Sequence, residues 1–285
     1  MRRIESTGPA SGLGAFARSA KLGNVATMTA LAVAAAAFAP AGVAHAQAAP
    51  TTSTWELQGN DSQLSANLPD GRAVSLRASW ALAGGDNLQA ELMQERKFGD
   101  VGGIAALAYT RVFSDDWFGT GTFVYGHGGR NWADLKLDLQ MSRKWLESRQ
   151  LVTSVAIYRA LYDAGRNDSG YRLSAAWYAT LPVVWEAGVT LNTSQPGGIH
   201  SQMPYVAVTM GREKDQYLSL RYNRGSEAYQ AVGREAQLVG FRSRGVTASW
   251  RRWLGTDWGV TALAEHYHNP SYVRRTLGVG VFAQW

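Results

Sequence analysis

Along stretches of about ten residues, this chain alternates apolar and polar side chains one for one. In the cleanest run, Leu135, Leu137, Leu139 and Met141 interleave with Asp134, Lys136, Asp138, Gln140 and Ser142. A period of two places each set on its own face of an extended strand. The same pattern ends the chain. Counting back from Trp285, the apolar positions are Ala283, Val281, Val279 and Leu277, with Gln284, Phe282, Gly280, Gly278 and Thr276 between them. A final strand over Tyr272–Trp285 that stops on an aromatic residue has the form of the closing strand of an outer-membrane β-barrel.

The alternation recurs at Val74–Leu82, Leu173–Leu181, Val183–Asn192, Val206–Met210, Leu218–Asn223, Val246–Arg251 and Trp258–Glu265. A soluble β-sandwich, here a periplasmic one, would alternate too. Strands of around ten residues favour the barrel, because soluble strands are nearer five or six. The connections are also expected to alternate in length. Short turns fall at Ala83–Asp86, Ser114–Asp116, Leu146–Arg149, around Leu181-Pro182, at Arg212–Gln216 and at Leu254–Asp257. Longer links fall at Gly59–Gly71, Phe98–Gly102, Gly126–Asn131, Asp163–Gly170, Ser194–Gln202 and Arg224–Glu235, with a shorter one at His268–Ser271. The expected fold is all-β, a transmembrane antiparallel up-and-down barrel of about fourteen strands, with twelve the alternative. Both termini would lie on the short-turn, periplasmic side.

The N-terminus reads as a separate segment. Arg2, Arg3, Arg18 and Lys21 precede an apolar, Ala-rich run that exits through Ala44-His45-Ala46. That is the grammar of a secretory signal peptide over residues 1–46, cut before Gln47, with the barrel domain over 47–285. Four of the 28 basic and one of the 22 acidic residues leave with it, so the net charge falls from +6 to +3. Nucleic-acid binding gains no support from so small a charge. The chain has no cysteine, so an exported form must rely on burial and hydrogen bonding. Beyond the leader no apolar run approaches the roughly 18 residues of a spanning helix, which leaves a barrel as the only membrane-inserted form.

The 11 Trp are concentrated where an interface would need them. Trp80, Phe113, Trp117, Trp145, Trp185, Tyr217, Trp253, Trp258 and Trp285 all lie beside the short turns or the C-terminus. They predict an aromatic girdle on the periplasmic side, with Trp117, Trp145, Trp185, Trp253, Trp258 and Trp285 as its tryptophans. The opposite parity predicts the lumen wall: Arg77, Glu91, Glu95, Asp134, Lys136, Asp138, Lys144, Arg172, Glu186, Arg221, Arg251 and Glu265. Their mixed signs suit internal ion pairs or a weakly selective channel rather than a single-sign filter.

A catalytic reading rests on the rim. His266 and His268 flank Tyr267, with Ser271 close by and Glu265 adjacent, and a lipid-modifying enzyme could use a His/Ser pair there. Adjacent strand residues point to opposite faces, so Glu265 and His266 cannot cooperate directly. His266 and His268 share a face, but without a matching carboxylate or thiol no metal site is expected. Gly-x-Gly occurs at Gly119–Gly121 and Gly278–Gly280 without a following helix, so no phosphate-binding loop and no cofactor is expected.

Three C-terminal stretches carry a family likeness: DQYLSLRYNRGSEAYQ, LVGFRSRGVTASWRRWLGTDWGVTALAEHY and SYVRRTLGVGVFAQW. Upstream, Arg96-Lys97-Phe98-Gly99 adds a basic-Phe-Gly element after an early strand. In this order they resemble the YaiO-type outer-membrane β-barrel family, although the last residue is Trp where such barrels more often end in Phe. The resemblance implies a barrel in the outer membrane of a Gram-negative bacterium and little chemistry; taken with the residues, the expected function is non-enzymatic, as a pore, export conduit or envelope component. The implied partners are outer-membrane lipids and lipopolysaccharide, periplasmic chaperones and the barrel-assembly machinery, which would engage the C-terminal strand. Related barrels are sometimes joined to helical-repeat segments of exopolysaccharide export systems, so such a system is a further candidate partner.

Overall fold

Lipid offers the backbone no hydrogen bonds, so a β chain can cross it only as a ring in which every strand has two neighbours. The computed structural model of the chain has that form. It describes residues 52–179, 182–232 and 236–285; the leader and Leu181 lie outside them, as do the last residues of the Arg224–Glu235 link. The strands are β1 (Thr54–Leu64), β2 (Gly71–Ala81), β3 (Asn87–Lys97), β4 (Asp100–Val112), β5 (Trp117–His127), β6 (Leu135–Trp145) and β7 (Leu151–Leu161). They continue with β8 (Asn167–Tyr178), β9 (Val183–Gln195), β10 (Ile199–Arg212), β11 (Gln216–Ala231), β12 (Gln237–Trp253), β13 (Trp258–His268) and β14 (Val273–Gln284). Each pairs antiparallel with its sequence neighbours, and β1 closes on β14. Fourteen strands, not twelve, complete the ring.

The seam between β1 and β14 is in continuous register from Thr54↔Gln284 to Leu64↔Arg274. Just past it, Ser53 and Trp285 exchange backbone hydrogen bonds of 3.1 and 3.0 Å. The terminal aromatic residue is thus tied to the first strand as well as to the surface.

The connections do not alternate in length as expected. At the end that carries the termini they are three to five residues long, and at the far end two to seven. The stretches expected to be long loops are mostly ladder. β1 continues to Leu64 inside the Gly59–Gly71 segment, and β11 runs to Ala231, which pairs with Gln237. The reason is that backbone pairing is indifferent to side-chain polarity, so a hairpin can continue beyond the apolar band on polar and small residues.

Outward positions form that band, with Leu92 at 59% exposure, Leu277 at 70% and Val279 at 71%. At the terminal end it is bordered by the exposed rings of Trp55, Trp117, Trp145, Trp177, Trp185, Trp250, Trp258 and Trp285. Exposed Tyr125 and Tyr171 stand near the far border. Two of the expected girdle residues are elsewhere. Trp253 is only 7% exposed and packs inside, edge-on to Tyr217 at 5.6 Å and to Phe282 at 5.0 Å between ring centres. Both follow from parity: Trp253 shares a face with lumen-facing Arg251, and Tyr217 with Ser219 and Arg221.

The Trp253–Phe282 contact crosses β13, and Gly259 leaves room for it. A Cβ at Gly259 would lie 2.7 Å from Cζ of Phe282. Gly259→Val is therefore expected to cost about 1–3 kcal/mol by overpacking. Urea titration of the barrel folded into phospholipid vesicles would measure it, and an unchanged midpoint would refute this account of the cluster.

Candidate functional site: the lumen and its two mouths

The inward faces enclose a cavity of about 990 Å³. Arg77, Glu91, Glu95, Lys136, Asp138, Lys144, Arg172, Glu186, Arg221, Arg251 and Glu265 all line it. Asp134 does not. It lies in the loop before β6, where its amide bonds Leu161 O at 2.8 Å and its carbonyl accepts from Gly126 N. Partial burial raises the Asp134 carboxyl above the usual range, and the nearby charge of Asp163 adds to the shift.

The wall charges are organised into separate groups. On one side, Arg251 of β12 pairs with Glu56 of β1, which lies 3.6 Å from Arg77 of β2. Arg77 in turn bonds Glu91 of β3 at 3.0 Å, and Glu91 is 1% exposed. Arg251 also lies over the ring of Phe282, 4.1 Å from its centre. On the other side, Arg172 of β8 grips both oxygens of Asp138 at 3.1 Å. Lys136 stands 3.7 Å from the same carboxylate and 5.0 Å from the Tyr158 ring. A third group joins Glu186 to the Tyr205 hydroxyl, with the Arg221 guanidinium 3.6 Å from the Tyr205 ring centre. Sequence parity places many of these residues inward, but Glu56, Tyr158, Tyr205 and Phe282 join them only through register.

The mouths differ. At the terminal end the cavity lining reaches turn residues Gly84, Gly85, Asp115 and Arg149. Asp115 and Asp116 bond Arg149 at 2.9 and 3.0 Å and raise its pKa further. At the far end the lining includes buried loop residues Phe98 and Tyr162. Phe98 sits in the two-residue β3–β4 turn and Tyr272 in the β13–β14 loop, yet their rings are 5.5 Å apart. Three interstrand steps separate β14 from β3, which is about 14 Å along the wall at ordinary spacing. The rings bridge that distance at the far rim, and Phe98 also lines the cavity. Tyr267, Leu64, Leu68, Val232 and Leu238 pack around them.

The β5–β6 loop adds Trp132, which is 1% exposed and packs inward on Ile104, Ala106, Val124 and Met93. It lies so close to β4 that a Cβ on Gly102 would be 2.5 Å from the indole. Neither Phe98 nor Trp132 was expected as a functional residue. The visible signal was a lone large apolar side chain in a Gly-rich connection.

The rim histidines are not assembled into a catalytic group. His266 and His268 lie on the outer face, whereas Glu265 points inward and accepts from Arg274 at 2.7 Å. Among the described residues no group of three or more His, Cys, Asp or Glu is placed to hold a metal ion.

Several solved barrels have a similar shape. A loop-deletion form of OmpT, an outer membrane protein of Vibrio cholerae, is 9% identical, with 84% of this chain and 100% of that one covered at a TM-score of 0.48. The anion-selective porin from Comamonas acidovorans is 9% identical, covering 82% and 99% at 0.46. The translocator domain of the autotransporter NalP from Neisseria meningitidis is 8% identical, covering 90% and 95% at 0.44. No curated protein sequence matches the chain.

The model of the YaiO membrane β-barrel domain matches residues 54–230. The match takes in Arg96–Gly99 and the DQYLSLRYNRGSEAYQ stretch and starts at the first residue of β1; the two later stretches noted for their likeness lie beyond it. A closed fourteen-strand barrel with an apolar outer band and an aromatic border, matched over most of its strands, identifies this chain as a member of the YaiO family of outer-membrane β-barrels.

Proposed function

We propose that the protein is a non-enzymatic conduit of the outer membrane, open at the end that carries its termini and held shut at the other by an apolar cap. The observation that carries this reading is the contact of Phe98, which lines the cavity, with Tyr272 at the far mouth. The wall supports it: its charges of both signs are paired with one another, some on neighbouring strands and others, such as Arg172 with Asp138 and Arg251 with Glu56, across intervening ones, which suits a wet lumen of mixed sign. In the cell the open end would face the periplasm, so cargo would arrive from inside and leave when the cap swings away. An exopolysaccharide system is one supplier of such cargo. The barrel-assembly machinery would engage β14.

Planar-bilayer recording tests the proposal. The intact barrel should show brief, small openings with little preference between K⁺ and Cl⁻. A steady, fully open level from the first insertion would sink the capped conduit, and silence at every voltage would reduce the protein to an envelope component.

A further inference from the structure

The outer surface near the far rim carries cations on six of the seven strands from β11 to β3; β1, between them, contributes Asp61. Arg224 of β11 stands directly opposite Arg244 of β12, which stands opposite His268 of β13. His266 is opposite Arg275 of β14, and Arg72 of β2 is opposite Arg96 of β3. Arg242 lies one step farther out on β12. All six arginines and His266 are exposed. Opposed residues of a strand pair have Cβ atoms roughly 5 Å apart, so like charges there destabilise the sheet unless something lies between them.

At the terminal end, three cations have carboxylate partners, Arg149 with Asp115 and Asp116, Lys214 with Asp257 and Arg252 with Asp215, while exposed Arg111 and Arg212 stand on separate strands with no like charge opposite them. In the far band, the only ion pair among the described residues is Arg72–Asp61 at 3.0 Å. The band also adjoins the lipid-facing surface, with exposed Tyr222, Val246, Leu277 and Val74 on the same strands. Side chains at that height meet lipid headgroups rather than bulk water.

We propose that this band binds the phosphates of a phosphorylated glycolipid whose acyl chains lie against the apolar surface below. Arginine forks grip phosphate oxygens in pairs, and a lipid with two phosphates would separate the opposed guanidiniums. This goes beyond the conduit reading and does not depend on it, since a barrel that never conducts could still hold the lipid.

The test uses the full mature barrel in detergent, titrated with bisphosphorylated lipid A and read by native mass spectrometry. Dephosphorylated lipid A, inorganic phosphate and the variants R224Q/R244Q/R275Q and R111Q/R143Q/R212Q complete the set. The far-rim variant should lose about ten-fold or more in affinity for the phosphorylated lipid, while the second, which removes as many charges at the terminal end, keeps it. Wild-type protein should bind the dephosphorylated lipid weakly, and inorganic phosphate should compete only at far higher concentration. Equal binding of the two lipids, an equal loss in both variants, or no loss in the first would overturn the proposal. Phosphate competing at the lipid's own concentration would assign the band to a free anion and overturn it also. Heat-modifiable gel mobility checks that each variant is folded, and single R244Q and R275Q changes carry the test if the triple variant is not.

Discussion

The double substitution F98A/Y272A is expected to turn brief openings into long-lived ones and to raise mean conductance on the order of ten-fold, since an apolar constriction gates by excluding water and ions. Phe98 and Tyr272 supply the rings that meet at the far mouth, 5.5 Å apart. Their neighbours Leu68 and Val232 come from loops, so removing the two rings takes away the contact that draws those loops inward. W132A should add to the effect independently, because Trp132 belongs to a separate cluster on the β3–β5 wall. L68A is the control at the edge of the cap and should change conductance little. If the folded double variant opens no more often than the parent, the cap does not gate the lumen.

The largest effect on stability is expected at Asp138. Its carboxylate is 5% exposed, holds Arg172 through two 3.1 Å bonds and lies 3.7 Å from Lys136. Asp138→Ala takes from both cations the carboxylate they share, which costs about 3–5 kcal/mol for a buried pair broken on one side. Asp138→Asn should fall between, because an amide oxygen still accepts one bond. In D138A/R172M part of the loss should return, since methionine removes one of the two stranded charges while Lys136 remains. The midpoint of urea unfolding from vesicles reads all three. A D138A barrel as stable as the parent would mean that lumen water already screens the group.

Much of this was legible from parity. Lipid on one side and water on the other force a period of two, so Leu135, Leu137 and Leu139 declare the outer face and Lys136 and Asp138 the inner one. Parity applied consistently would also have moved Trp253 inward, since Arg251 two residues earlier was already placed in the lumen. Proximity to a turn was allowed to outweigh it. What parity cannot supply is register. The chain Arg251–Glu56–Arg77–Glu91 crosses the seam, and its members are brought together only because Leu57 is opposite Val281 and Leu76. Loop lengths were misjudged for a related reason, as polar, Gly-containing residues such as those of Arg224–Ala231 stay paired when their partner strand extends equally far. The cap was hidden because Phe98 and Tyr272 are far apart in sequence and are joined by the curvature of the ring alone.

The closure of β1 on β14 sets a schedule for biogenesis. The first strand to be synthesised is the one whose final neighbour is made last. Until the C-terminal strand arrives, both β1 and the growing end present unpaired edges that would recruit any other extended chain. Before that the chain can be no more than an open ribbon, and a chain lacking β14 would have no closed form. Loss of only the last dozen residues should thus be read in cells as degradation rather than as a smaller, weaker barrel.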